Sequence, residues 1–242
     1  MLRQYGILLS IFLLSAASAT AEDQLAKALG DTLVTPDAVA AQHRDFVLAR
    51  IKKLTLAPDA TTWQQEAEVM RRRVLDEVVF RGVSADWRNG DPAPQWTDVI
   101  DTDHGYRIRK FRYQAVPGMW IPGLLYEPKK LVGKVPVVLN VNGHESTGKA
   151  TDYKQLRCIN LAKRGMLALN LEWVGMGQLK GPGYSHNHLA KLDLCGVSGL
   201  SVFYLAMARG LDVLLDHTHA DSERVAVTGL SGGGWQTIVL SA

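Results

Sequence analysis

Two patterns of apolar positions run through the chain. Between Trp96 and Tyr126 apolar and polar residues alternate with the period of a strand. The alternation breaks at Asp103-His104-Gly105 and at Val116-Pro117-Gly118, which predicts two or three antiparallel strands. Val137-Val138-Leu139-Asn140-Val141 and Met166 to Leu171 are short apolar runs of the kind buried on both faces of a sheet, with Pro136 tolerated at the start of the first. Between them Asp152 to Arg164 reads as a helix stopped by Gly165. Leu200 to Asp216, with Phe203, Leu205, Met207, Leu211, Leu214 and Leu215, reads as another. Asp221-Ser222-Glu223-Arg224 then reads as a turn into the strand Val225-Ala226-Val227-Thr228. Strands alternating with helices predict an α/β fold, a mostly parallel central sheet with helices on both faces.

The amino-terminal third follows a different rule. From Glu22 to about Asp91 it is helical and charged, without a Gly-rich loop. Its strongest helix is predicted from Thr62 to Arg81, with Thr62 and Gln65 as a capping box and Gly82 as the stop. Trp63, Ala67, Met70, Val74 and Val78 share one face. Arg71-Arg72-Arg73 point in three directions among Glu66, Glu68, Asp76 and Glu77, so they read as a solvated face. The linker Asn89-Gly90-Asp91-Pro92-Ala93-Pro94 separates this extension, residues 22–91, from a catalytic-type domain over residues 92–242.

Ahead of the extension, Arg3, the apolar run Ile7 to Leu14 and the small residues Ala17-Ser18-Ala19-Thr20-Ala21 have the form of a signal peptide over residues 1–21, cleaved after Ala21. The run is about half the roughly 20 apolar residues a membrane span needs. The expectation is a secreted or periplasmic protein with no membrane anchor after cleavage.

The composition of the 242 residues, 47% hydrophobic and 21% charged, excludes disordered, collagen-like and coiled-coil readings. Loss of Arg3 with the leader lowers the net charge from +3 to +2, which leaves no footprint for nucleic acid. Cys158 and Cys195 have no metal-ligand spacing, and sequence alone does not show whether they pair. No cofactor or metal is implied.

Candidate chemistry concentrates at Val225-Ala226-Val227-Thr228-Gly229-Leu230-Ser231-Gly232-Gly233-Gly234-Trp235. A bare G-x-S-x-G arises by chance in roughly one chain of this length in ten. Here a buried strand precedes it and a helical pattern follows, the setting of a nucleophile elbow. Small flanking residues let a serine sit on a sharp strand-to-helix turn with its hydroxyl exposed, and the helix behind it points free amides at the reacting centre. Ser231 is therefore the candidate nucleophile. Its oxyanion hole would use the backbone N–H of Gly232 and that of His144, in the loop Asn142-Gly143-His144-Glu145-Ser146 after the first buried strand. Trp173, His186 and His188 lie in the long loop from Glu172 to about Gly196 and are candidate substrate contacts.

These residues resemble the α/β-hydrolase superfamily, and within it the secreted serine esterases of the acetyl xylan esterase and dienelactone hydrolase-like kind. The resemblance covers roughly Trp96 to the end. It rests on Tyr106-Arg107-Ile108, Pro122-Gly123-Leu124-Leu125-Tyr126, Asn142-Gly143-His144 in place of a His-Gly oxyanion loop, Gly175-Met176-Gly177, Arg209-Gly210-Leu211-Asp212 and Gly229-Leu230-Ser231-Gly232-Gly233. It implies an α/β-hydrolase fold and hydrolysis of a small-molecule or carbohydrate ester.

One departure has energetic weight. The superfamily's triad runs Ser, then acid, then His, yet only Gly232 to Ala242 follow Ser231, and all seven histidines precede it. The expectation is an amino-terminal fragment, nearly inert alone because loss of the base costs about a millionfold in turnover. The strand before Ser231, normally mid-sheet, would keep an unpaired apolar edge, so the isolated chain is expected to aggregate.

Rival readings are a prolyl-oligopeptidase-like peptidase, which lacks the expected propeller, and an inactive binding module if the natural chain ends at Ala242. Gly175-x-Gly177 with Gly181 does not open into a helix, which argues against a dinucleotide site. His186/His188 and His217/His219 lack the neighbours of a zinc site.

Overall fold

The computed structural model describes residues 23–53, 55–183 and 185–241. The expected leader, residues 1–21, lies outside them. Among the described residues no helix is long and apolar enough to cross a membrane. The chain divides into two compact units, Met1–Leu56 and Ala57–Ala242. In the first, helix α1 (Pro36–Leu48) starts on Thr35, whose hydroxyl accepts from the Ala38 N–H at 3.2 Å, with proline in the first turn. It buries none of its own residues.

The second unit opens with α2 (Ala60–Arg73), followed by a π-helical segment, Val74–Val79. The cap is Asp59 and not the expected Thr62. The Asp59 carboxylate accepts from the Thr62 N–H at 2.8 Å and from its hydroxyl at 3.0 Å, so the helix begins earlier and Thr62 becomes a donor inside the first turn. The apolar face foreseen for this helix exists but is largely open, with Trp63 41% and Met70 49% exposed.

Six strands form one sheet in the order β1-β2-β3-β5-β4-β6. β1 (Gln95–Asp101), β2 (Tyr106–Val116) and β3 (Met119–Pro128) are the antiparallel run read from the alternation, and the turns between them use Gly105 and Gly118 at positive φ. β3 pairs antiparallel with β5 (Leu167–Leu171), which pairs parallel with β4 (Val135–Asn140). β4 in turn pairs parallel with β6 (Ala220–Thr228). The expected turn at Asp221 to Arg224 is instead an irregularity inside β6. Register jumps from Val135 opposite Ala220 to Val137 opposite Val225, and the Asp221 carboxylate accepts from Glu223 N–H and Arg224 Nε.

Helices α3 (Asp152–Lys163) and α4 (Leu200–Leu215) pack against the sheet, and α5 (Gly232–Ser241) follows β6. The core lies between α4 and the sheet: Tyr113, Ile121, Leu139, Leu169, Val202, Met207 and Leu214 are buried in it, and the Tyr113 hydroxyl donates to Ala206 O. β6 is the last strand in the order, and Val225 on it is 41% exposed. Cys158 is buried in α3 and Cys195 is exposed, and the two are not joined.

Candidate active site

β4, β5 and β6 are parallel, so the loops that leave their carboxyl ends gather at one edge of the sheet. Those loops carry Asn142 to Ala150, Glu172 to Gln178 and Gly229 to Gly232.

Ser231 has φ of +56°, one of two non-glycine residues with positive φ among those described, and it is exposed. Such a conformation costs about 1–3 kcal/mol and persists only where the surroundings impose it. They do so here through close packing of the motif's glycines. A Cβ on Gly233 would stand 2.6 Å from Val141 O, and one on Gly229 would collide with Gly233 O. Ser231 caps α5 from outside: its carbonyl accepts from Trp235 N–H at 3.1 Å, and Gly233 N–H donates to Leu230 O at 2.9 Å. Among the described residues the Ser231 hydroxyl has no hydrogen-bond partner, and neither has the N–H of Gly232, the first residue of α5 and so part of its positive end.

The loop after β4 comes close to this turn. A Cβ on Gly143 would lie 2.9 Å from Leu230 O, 3.0 Å from Gly232 N and 3.1 Å from Gly233 N, so only glycine fits. The backbone N–H of the next residue, His144, also has no acceptor among the described residues. The loop is held from below by buried amides. Asn142 Nδ2 donates to Asn170 Oδ1 at 2.7 Å and to Leu171 O, and Gln236 Nε2 donates to Asn142 O.

Aromatic rings close one side. Trp173, 6% exposed, packs against the backbone at Gly232, where a Cβ would come within 2.6 Å of its Cη2. Its ring meets His144 edge-on at 4.5 Å and stacks on His186 at 4.9 Å. His144 Nε2 and His186 Nε2 are 3.1 Å apart, so one donates and the other accepts. Burial, and then the charge on His144, lower the pKa of His186. Phe203 lies behind both and reaches Trp235 edge-on at 6.0 Å. Trp173 Nε1 and His186 Nδ1 are buried without partners among the described residues. Ser231, Gly232, His144, Trp173 and His186 are thus brought together, and His188 follows His186 in the same 3₁₀ turn, His186–Ala190. His217 and His219 are at the other end of β6, where His217 Nε2 contacts Glu127 at 3.1 Å and His219 Nδ1 contacts Gly133 O at 2.8 Å.

The residues not foreseen from sequence are charged and buried. Glu172 accepts from Lys149 N–H and Lys149 Nζ, both at 2.8 Å, and from Gln178 N–H at 3.2 Å. Lys149 Nζ also donates to Gln178 Oε1. This bolt joins the loop after β4 to the loop after β5. Lys154 of α3, buried beside it, donates to Gly148 O and Gly143 O. Glu172 at the very end of an apolar strand was the one available signal, since a carboxylate there must find a cation or leave the core.

No protein-family profile matches the chain, and no curated protein sequence does. Solved structures do. A Bacteroides fragilis protein assigned as an acetyl xylan esterase superposes with a TM-score of 0.66 at 19% identity, over 87% of this chain and 58% of its own. A methylesterase gives 0.65 at 23% identity, over 77% and 40%. Acetyl xylan esterase 1 from Thermoanaerobacterium sp. JW/SL YS485 gives 0.54 at 19%, over 73% and 54%. The chain spans 40–58% of the length of these structures. Likeness at such identities is a likeness of fold.

Proposed function

We propose, from the α/β-hydrolase fold that this chain has, that it is the amino-terminal part of an exported serine esterase acting on a small acyl ester, including esters borne by carbohydrate. Residues 92–242 would form the first part of the catalytic domain, and residues 1–21 a leader removed after Ala21. The observation that carries the reading is Ser231 at φ +56° with its hydroxyl exposed, next to two unengaged backbone donors, Gly232 N–H and His144 N–H.

In the proposed reaction Ser231 Oγ attacks the ester carbonyl carbon as its proton passes to a histidine. The carbonyl π pair moves to oxygen, where the N–H groups of Gly232 and His144 hold it. Collapse expels the alkoxide, which takes the proton from that histidine and leaves an acyl-enzyme. Water repeats the sequence and releases the acid. The base and its acid partner are assigned to chain beyond residue 242, which the length of the similar structures accommodates. Trp173, pressed against Gly232, would line the acyl side, and His186 and His188 would meet the alcohol part.

The test is Ser231→Ala in the natural protein, assayed with a chromogenic acetyl ester. Loss of hydrolysis with an unchanged circular dichroism spectrum is expected. Hydrolysis that survives the substitution overturns the assignment.

A further inference from the structure

Lys154 is the third residue of α3 and is 2% exposed. A cation in the first turn of a helix faces the positive end of the dipole, and burial strips it of water. Two unfavourable choices at one residue call for a compensating role. Its Nζ donates to Gly148 O at 3.1 Å and to Gly143 O at 3.4 Å. The Gly143 carbonyl belongs to the same peptide group as the His144 N–H, and Gly143 packs directly over Gly232 N. An ammonium on the carbonyl end of a peptide fixes the plane of that group. It also draws electron density from the nitrogen, which makes the N–H a stronger donor.

We propose that Lys154 is a positioning residue of the oxyanion hole, acting through the Gly143–His144 peptide without touching substrate. This rests on the reading of Ser231 as nucleophile and of the His144 N–H as an oxyanion donor. The charged and titratable groups around Lys154 are Glu145 from the oxyanion loop, Glu172 from the loop after β5 and, from α3 itself, Arg157 and Tyr153, whose ring centre lies 5.9 Å from Nζ. Glu172 is already engaged by Lys149. Burial lowers the pKa of Lys154 from the ordinary 10.5 by more than Glu145 and Glu172 raise it, and Arg157 adds to the lowering. The charge that polarises the peptide is therefore lost on the alkaline side before that of an exposed lysine.

The experiment is steady-state hydrolysis of p-nitrophenyl acetate by the natural protein and by its Lys154→Met and Lys154→Arg variants, across pH. Lys154→Met is expected to lower kcat about tenfold, less than the loss of a whole donor, with KM within about twofold. Lys154→Arg should recover most of kcat and move the alkaline limb of kcat upward by about one pH unit or more, because a guanidinium keeps its proton. A folded Lys154→Met protein with wild-type kcat overturns the proposal, as does an Arg variant whose alkaline limb stays in place. Should neither variant fold, the wild-type profile decides: a kcat that drops to half its plateau below pH 10.5, with circular dichroism showing the protein still folded there, supports the proposal, and a plateau kept through that value overturns it. Failure here leaves the esterase reading intact if Ser231→Ala is inactive, whereas hydrolysis that survives Ser231→Ala removes that reading whatever Lys154 does.

Discussion

The two ends of the sheet each bury a charged cluster, and they solve the same problem in opposite ways. At the starting end of the parallel strands, Glu127 is fully buried and meets Arg107 at 2.6 Å, Arg109 at 3.3 Å and His217 at 3.1 Å. Burial pushes its carboxyl up, but the hydrogen bonds from His217 and Arg107 and the charges of both arginines outweigh that and hold it at about 2. At the finishing end, Lys154 has backbone carbonyls as its hydrogen-bond partners, and Trp173 Nε1, His186 Nδ1 and Asn142 Oδ1 are buried without partners among the described residues. One cluster is closed on itself and serves the fold. The other, beside the paired Lys149 and Glu172, leaves unpaired polar atoms and a strained serine at the strand ends where this fold binds ligands.

Ser231→Ala should produce the largest effect, about a millionfold in kcat by analogy with other serine nucleophiles, read by initial rates in the natural protein. Next comes Gly233→Ala, whose methyl would press on Val141 O. It should cost about 3 kcal/mol in a urea titration and most of the activity, because the elbow cannot keep its shape. Unchanged stability would mean that the elbow is less tightly packed than described.

Glu127→Ala sharpens the contrast between the two ends. It should destabilise by about 3 kcal/mol, since Arg107 and Arg109 lose their buried carboxylate and His217 its hydrogen-bond partner, while kcat per folded molecule stays unchanged. The pH dependence has a definite sign. The Glu127 carboxyl is depressed from 4.5 to about 2, so its stabilisation is complete above about 4.5 and is lost as pH falls toward about 2. Thermal unfolding of the wild type should decline across that window more steeply than that of the variant. Asp59→Ala should cost least, a small loss of stability from the missing helix cap read by thermal unfolding, with no change in kcat.

Much of the fold was legible because the sequence patterns are local. Alternation located β1 to β3, Gly105 and Gly118 marked the turns, and unbroken apolar runs located β4 and β5. The irregularity in β6 was not legible, since Asp221 to Arg224 has the composition of a turn and only pairing with β4 shows the strand already running. At the site, G-x-S-x-G pointed to Ser231 because the strained turn restricts which residues can flank it. Lys149, Lys154 and Glu172 were hidden because charged residues in a loop or at a helix start read as solvated until tertiary contacts bury them. The openness of α2 was hidden for the converse reason: periodicity gives a helix an apolar face without saying what packs on it.

The most direct test of the account is to trap the acyl-enzyme. The natural protein would be mixed with excess acetyl ester, quenched in acid within the first turnover, digested, and its peptides mapped by mass. One acetyl group on Ser231 is the predicted result. An acetyl group on another residue, or a full burst of released alcohol with Ser231 unmodified, would contradict the account.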